Sequence, residues 1–143
     1  MNNLNAALNL NLNNISIMDI NEENLILLKS EDYYIQSNFY FWLINTINEL
    51  EEINKIEELA YANYLMSYFV FIILTPLCYE EIAFNHIKKS IKLSKKIKFK
   101  EWLLIFSTTS KPFLSTYDSI KIAEEVLSEN PNSTLAKTII EMY

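Results

Sequence analysis

The sequence predicts an all-α protein of six to seven antiparallel helices, and three observations carry that expectation. The 143 residues include no glycine. Apolar residues recur at helical spacing through most of the chain. Serine, threonine, aspartate, asparagine and proline stand at intervals that suit helix ends. Glycine is the default wherever φ is positive or the backbone must approach a ligand closely. Its absence removes Gly-rich phosphate loops, dinucleotide fingerprints and the G-x-S-x-G nucleophile elbow. It also removes the favoured residues of two-residue β-hairpins. Helices tolerate the restriction best.

Residues 1–18 leave two readings open. Leu4, Leu8 and Leu12 suit a helix, whereas Leu8, Leu10 and Leu12 suit a strand. Asp19 with Glu22 resembles a capping box ahead of Leu25–Leu28, which predicts a short helix over 20–29. Ser30, followed by Glu31 and Asp32, is expected to cap a second helix. Its apolar positions are Ile35, Phe39, Trp42, Leu43, Ile47 and Leu50. The charged stretch Glu49–Glu58 marks a connection, and a third helix runs from Lys55 to Leu74. Thr75-Pro76 is a boundary, with Thr75 as cap and Pro76 in the first helical position. The fourth helix reaches Lys96, with Ala83, Ile87, Ser90 and Ile91 inward and Lys88, Lys92, Lys95 and Lys96 outward. A fifth covers 99–109, with Trp102, Leu103 and Phe106 inward, and Pro112 stops it. Ser115 or Thr116 caps the sixth, to Glu129; Asn130-Pro131-Asn132 turns, and Ser133 caps the last.

Length and composition fit one helical domain over 1–143, and a half-hydrophobic chain is not expected to be disordered. Net charge is −6, and all twelve basic residues are lysine. Arginine, the usual partner of phosphate and guanine, is missing, which argues against a sequence-reading nucleic-acid binder. Residues 1–75 carry two lysines against ten acids, and residues 76–143 ten lysines against eight. Cys78 is the single cysteine, so no internal disulfide is possible and a reducing, cytoplasmic setting is expected. The segment MNNLNAALNLNLNN lacks the basic stretch of a secretory signal.

Two segments repeat. Ala83, Ile87 and Ser90 in one match Ser119, Ala123 and Val126 in the other at an offset of 36 residues. With Leu127-Ser128-Glu129-Asn130-Pro131-Asn132-Ser133, this resembles a degenerate tetratricopeptide array over residues 76–143. The family's Trp-Leu-Gly-Tyr pattern is not reproduced: Trp102 is displaced, and Glu141 stands where glycine is expected. Any antiparallel α-hairpin with small interface residues gives similar spacing. The resemblance implies a short solenoid of helical hairpins that presents a surface to another protein.

The remaining signals each carry two readings. Leu59 to Tyr79 is an uncharged stretch of 21 residues, long enough for a membrane span, yet Asn63, Ser67, Thr75 and Pro76 interrupt it. A helix buried on all sides explains it equally well, and membrane contact is not expected. The lysines from Lys88 to Lys100 suit either an anionic partner or a solvated helix face. Paired glutamates such as Glu51/Glu52 diverge on a helix, so they cannot share a proton or a metal. One His and one Cys assemble neither a catalytic nor a metal-binding set, so no enzyme activity, cofactor or metal is expected.

The expected function is binding to another protein. In size and acidity the chain resembles small bacterial toxin-immunity proteins, with no diagnostic motif. In that reading it covers the active site of a toxin, such as a basic nuclease. The surface would be Glu31, Asp32, Tyr33, Tyr34, Tyr40, Glu49, Glu51, Glu52, Glu57, Glu58, Tyr61 and Tyr64. The alternatives are a tetratricopeptide-like adaptor or chaperone and a regulatory protein touching nucleic acid through Lys88–Lys100.

Overall fold

The computed structural model describes residues 2–143, with side chains from Leu4 onward. Among the described residues it is all-helical: α1 (Asn2–Leu8), α2 (Glu22–Ile26), α3 (Tyr33–Glu52), α4 (Ile56–Phe69), α5 (Tyr79–Leu93), α6 (Ile97–Leu103), α7 (Thr116–Glu129) and α8 (Thr134–Met142). Short 3-10 turns at Ile17–Asp19, Leu27–Ser30 and Leu104–Ser107 connect or extend them. The seven expected helices are present. The additional one, α1, makes the first part of the open N-terminal segment helical, with Leu4 and Leu8 buried on it, whereas Leu12, also buried, lies in a turn beyond its end.

Contacts within the 1–143 span gather into two compact units, Met1–Leu93 and Ser94–Tyr143. In the first, α4 is the centre. Every residue from Leu59 to Ser67 is buried, and α2, α3, α5 and the Ile17–Asp19 turn pack around it. Phe39 of α3 stacks on Phe69 at 4.8 Å between ring centroids. The uncharged stretch is therefore a core helix as far as Leu74 and an exposed turn beyond it, and no helix among the described residues is long and apolar enough to cross a membrane.

Small residues set the packing of α4 on α5. Ser67 Oγ donates to the Ala83 carbonyl at 2.7 Å, and Ser90 Oγ donates to the Ala60 carbonyl at 2.7 Å. Ala60, Ser67, Ala83 and Ser90 are all fully buried. The second unit has a core of Leu104, Ala123, Val126, Ala136 and Ile139. There Lys100 Nζ lies 2.6 Å from Glu125 Oε2, and Ser133 Oγ donates to the Glu101 carboxylate. All six positions of the internal repeat are buried.

Helix ends follow the expected chemistry, with some caps moved. Ser115 and Ser133 cap α7 and α8 as expected. Asn21, not Asp19, caps α2, in a reciprocal box with Asn24 at 2.9 Å each way. Asp19 instead closes a box with Ser16 one turn earlier. Asp32, not Ser30, caps α3 by accepting the Ile35 N–H at 2.9 Å. Helix α5 ends at Leu93, so Lys95 and Lys96 stand beyond it.

Without glycine, the left-handed positions fall on Asn9, Asn54, Thr75 and Cys78. Asn9 and Asn54 end α1 and α3 in Schellman motifs. Leu10 N–H reaches the Asn5 carbonyl, and Lys55 N–H reaches that of Leu50. Asparagine tolerates this region; a β-branched threonine does not. Thr75 does not cap α5. It closes a π-turn over Val70–Leu74 with φ 42°, its N–H donating to the Val70 carbonyl. Pro76 has no N–H with which to prolong the helix. Chain reversal then runs through Leu77 and Cys78 before α5 begins at Tyr79.

Relief of this strain is measurable. The left-handed conformation costs threonine about 1–2 kcal/mol, and glycine returns about 0.5–1 kcal/mol of that through the unfolded chain. Thr75→Gly is expected to raise stability by about 0.5–1 kcal/mol, read as a higher urea midpoint. A lower midpoint would mean that the side chain contributes more than the backbone costs.

Candidate functional site

Helix α3 carries most of the sequence-predicted surface. Its buried stripe is Ile35, Phe39, Leu43, Ile47 and Leu50. At 3.6 residues per turn, the opposite stripe is Tyr34, Asn38, Phe41, Asn45, Glu49 and Glu52. Tyr34 and Phe41 are 69% and 67% exposed. Tyr34, Asn38, Phe41 and Trp42 line an open groove of about 450 Å³ with Leu4 of α1. Further along, Asn45 Nδ2 donates to Glu49 Oε1 at 3.1 Å. The stripe is aromatic at its N-terminal end and acidic at its C-terminal end. No lysine lies in α3.

The other predicted residues divide. Tyr33, Tyr40 and Glu51 share a neighbouring face of α3, with Tyr33 exposed and Tyr40 edge-on to Phe41 at 5.5 Å. Glu31 and Asp32 line a second groove of about 410 Å³ with Ala6, Ala7 and Ile35. Glu57 and Glu58 sit in the first turn of α4, where carboxylates suit the positive end of a helix. Glu58 also lies 3.7 Å from Lys55 Nζ. Tyr61 and Tyr64 do not belong to the surface. Both are buried: Tyr61 donates its hydroxyl to the Ile20 carbonyl, and Tyr64 donates to Glu22 Oε2 at 2.8 Å. Burial, and then the Glu22 charge, push Tyr61 up to about 12 and Tyr64 higher still. These hydroxyls tie α2 and the preceding turn to the core.

Phe41 is the residue that sequence reasoning missed. Its signal was the seven-residue spacing from Tyr34 on the face opposite the buried stripe.

The lysines from Lys88 to Lys100 do not form one helical face. Lys88, Lys89 and Lys92 belong to α5, with Lys88 Nζ 5.1 Å from the Phe84 ring centroid. Lys98 and Lys100 belong to α6 in the other unit. No group of three or more potential metal ligands occurs among the described residues. Cys78 is exposed at its turn. His86 is half-buried, its Nδ1 2.8 Å from Asn63 Oδ1, while Asn63 Nδ2 donates to the Leu59 carbonyl at 3.0 Å. Burial first, and Lys89 second, hold His86 down at about 4.

No protein-family model, curated protein or solved structure matches this chain.

His86 gives stability a pH dependence. The unfolded histidine takes up a proton near pH 6.5, whereas the folded one resists down to about 4. Its contribution is fully present above pH 6.5 and is lost as pH falls through that window. The loss amounts to at most about 3 kcal/mol. Urea titrations from pH 7 to 4 should show this slope and lose part of it in His86→Gln. An identical slope in the variant would rule the histidine out as its source.

Proposed function

We propose that the chain is a non-enzymatic protein that binds another protein, most concretely an acidic immunity protein. It neutralises a toxin, such as a basic nuclease, by covering the toxin's active site. The outer stripe of α3 carries this reading. Two large aromatic side chains stand exposed on a 20-residue helix whose outer stripe ends in the exposed carboxylates of Glu49 and Glu52. Exposed aromatics in one patch suit an interface centre, and carboxylates suit its rim. The same charges steer a basic partner to the face. A tetratricopeptide-like adaptor is the second reading. It draws on the buried small residues Ala83, Ser90, Ser119 and Ala123 and calls for micromolar binding to extended peptides instead of one tight complex.

Affinity capture from the native host is the test. The expected catch is one basic enzyme, held in equimolar ratio and inhibited in the complex. Tyr34→Ala with Phe41→Ala should weaken that complex at least thirtyfold, for a hot spot of about 2 kcal/mol. Glu49→Lys with Glu52→Lys should slow association about tenfold at low salt. Retention of no basic enzyme, or a complex indifferent to the aromatic pair, overturns the proposal.

A further inference from the structure

The first unit holds a second feature, independent of the α3 stripe. A groove of about 360 Å³ opens where the α3–α4 turn meets the last turns of α5. Ile56, Leu59 and Leu93 provide apolar lining, and Lys89 and Lys92 stand beside them on α5. Asn63 lines it too, though only 1% exposed, its amide fixed by His86 and the Leu59 carbonyl. Asn54 and Glu51 complete the lining from the turn. The volume lies at the lower end of small-molecule sites, about 300–1,000 Å³.

The chemistry of the lining selects a ligand. Neither Lys89 nor Lys92 has a carboxylate within ion-pair distance among the described residues. The lining includes two lysines and one carboxylate residue, Glu51, so the groove favours an anion within an otherwise acidic chain. An inorganic anion would leave the apolar lining unused. A hydrocarbon would leave the ammonium groups without a partner. A second copy of the chain, with the same net charge of −6, is repelled by the chain as a whole.

We propose that this groove binds a small amphiphilic carboxylate, its head group between Lys89 and Lys92 and its apolar body against Ile56, Leu59 and Leu93. Asn63, held by His86 and the Leu59 carbonyl, closes the back of the groove. Glu51 acts as a filter: it repels a head group placed on the turn side and so orients the ligand toward α5.

Octanoate titrated into the full chain, followed by calorimetry and by NMR of the histidine ring, is the experiment. Binding should be saturable, with octanol, octylamine and acetate each at least about tenfold weaker, the worth of one charge-assisted contact or of the buried chain. Lys89→Ala with Lys92→Ala should lose about tenfold or more, whereas Lys95→Ala with Lys96→Ala should lose nothing. Glu51→Gln should tighten binding. His86, the single histidine, reports from the far side of Asn63. Neutralising Lys89 removes the lesser of the two influences on its titration, so the titration should move up when octanoate binds. Equal binding of octanol or octylamine, equal binding of acetate, or indifference to the Lys89/Lys92 pair each overturns the proposal. A folded double variant, checked by its urea midpoint, keeps the comparison valid.

Discussion

The contact of α4 with α5 is the constraint on which the first unit depends. Two serines cross it in opposite directions, Ser67 to the Ala83 carbonyl and Ser90 to the Ala60 carbonyl. Such bonds form only when the backbones approach closely, which the alanines allow. Each hydrogen bond is worth about 0.5–1.5 kcal/mol net, but a buried hydroxyl left without its partner costs about 1–3 kcal/mol. The seam therefore tolerates one register and penalises others. Asn63 and His86 lie between the two serines and complete the polar line. With that line fixed, the remaining faces of α4 accept α3, α2 and the Ile17–Asp19 turn.

Much of this was legible in the sequence, because helical periodicity and end signals are local. The inward positions of α3 and of the repeat segments follow directly from spacing. The exceptions have a common origin. Asp19, Ser30 and Thr75 are good cap residues, but so are Asn21 and Asp32 nearby, and tertiary packing chose between neighbours. Tyr61 and Tyr64 look the same in sequence as Tyr33 and Tyr34. Only the fold shows that the first pair finds acceptors on Ile20 and Glu22, more than forty positions earlier. The groove beside Lys89 was invisible for the same reason: its walls come from three elements.

Sorting the carboxylates by what they already do narrows the binding surface. Glu22, Asp32 and Glu58 each engage a group of the chain itself, and Glu57 sits with Glu58 in the first turn of α4. Glu52, and Glu49 apart from its bond from the Asn45 amide on the same stripe, remain exposed with Tyr34 and Phe41. A lone exposed carboxylate is weakly selective, since salt screens it within about 8 Å at physiological strength. Beside aromatic surface that excludes water, the same charge discriminates more strongly.

The division of the chain into two compact units has an experimental consequence. Trp42 lies in the first and Trp102 in the second, and the chain has no other tryptophan. Trp42 is half-buried on α3, whereas Trp102 is buried with its ring edge-on to Phe106 at 6.2 Å. Each unit therefore carries its own intrinsic chromophore in a distinct environment. Replacing one indole at a time isolates the emission of the other. A single chain thus reports optically whether its two parts melt as one cooperative body or in separate steps.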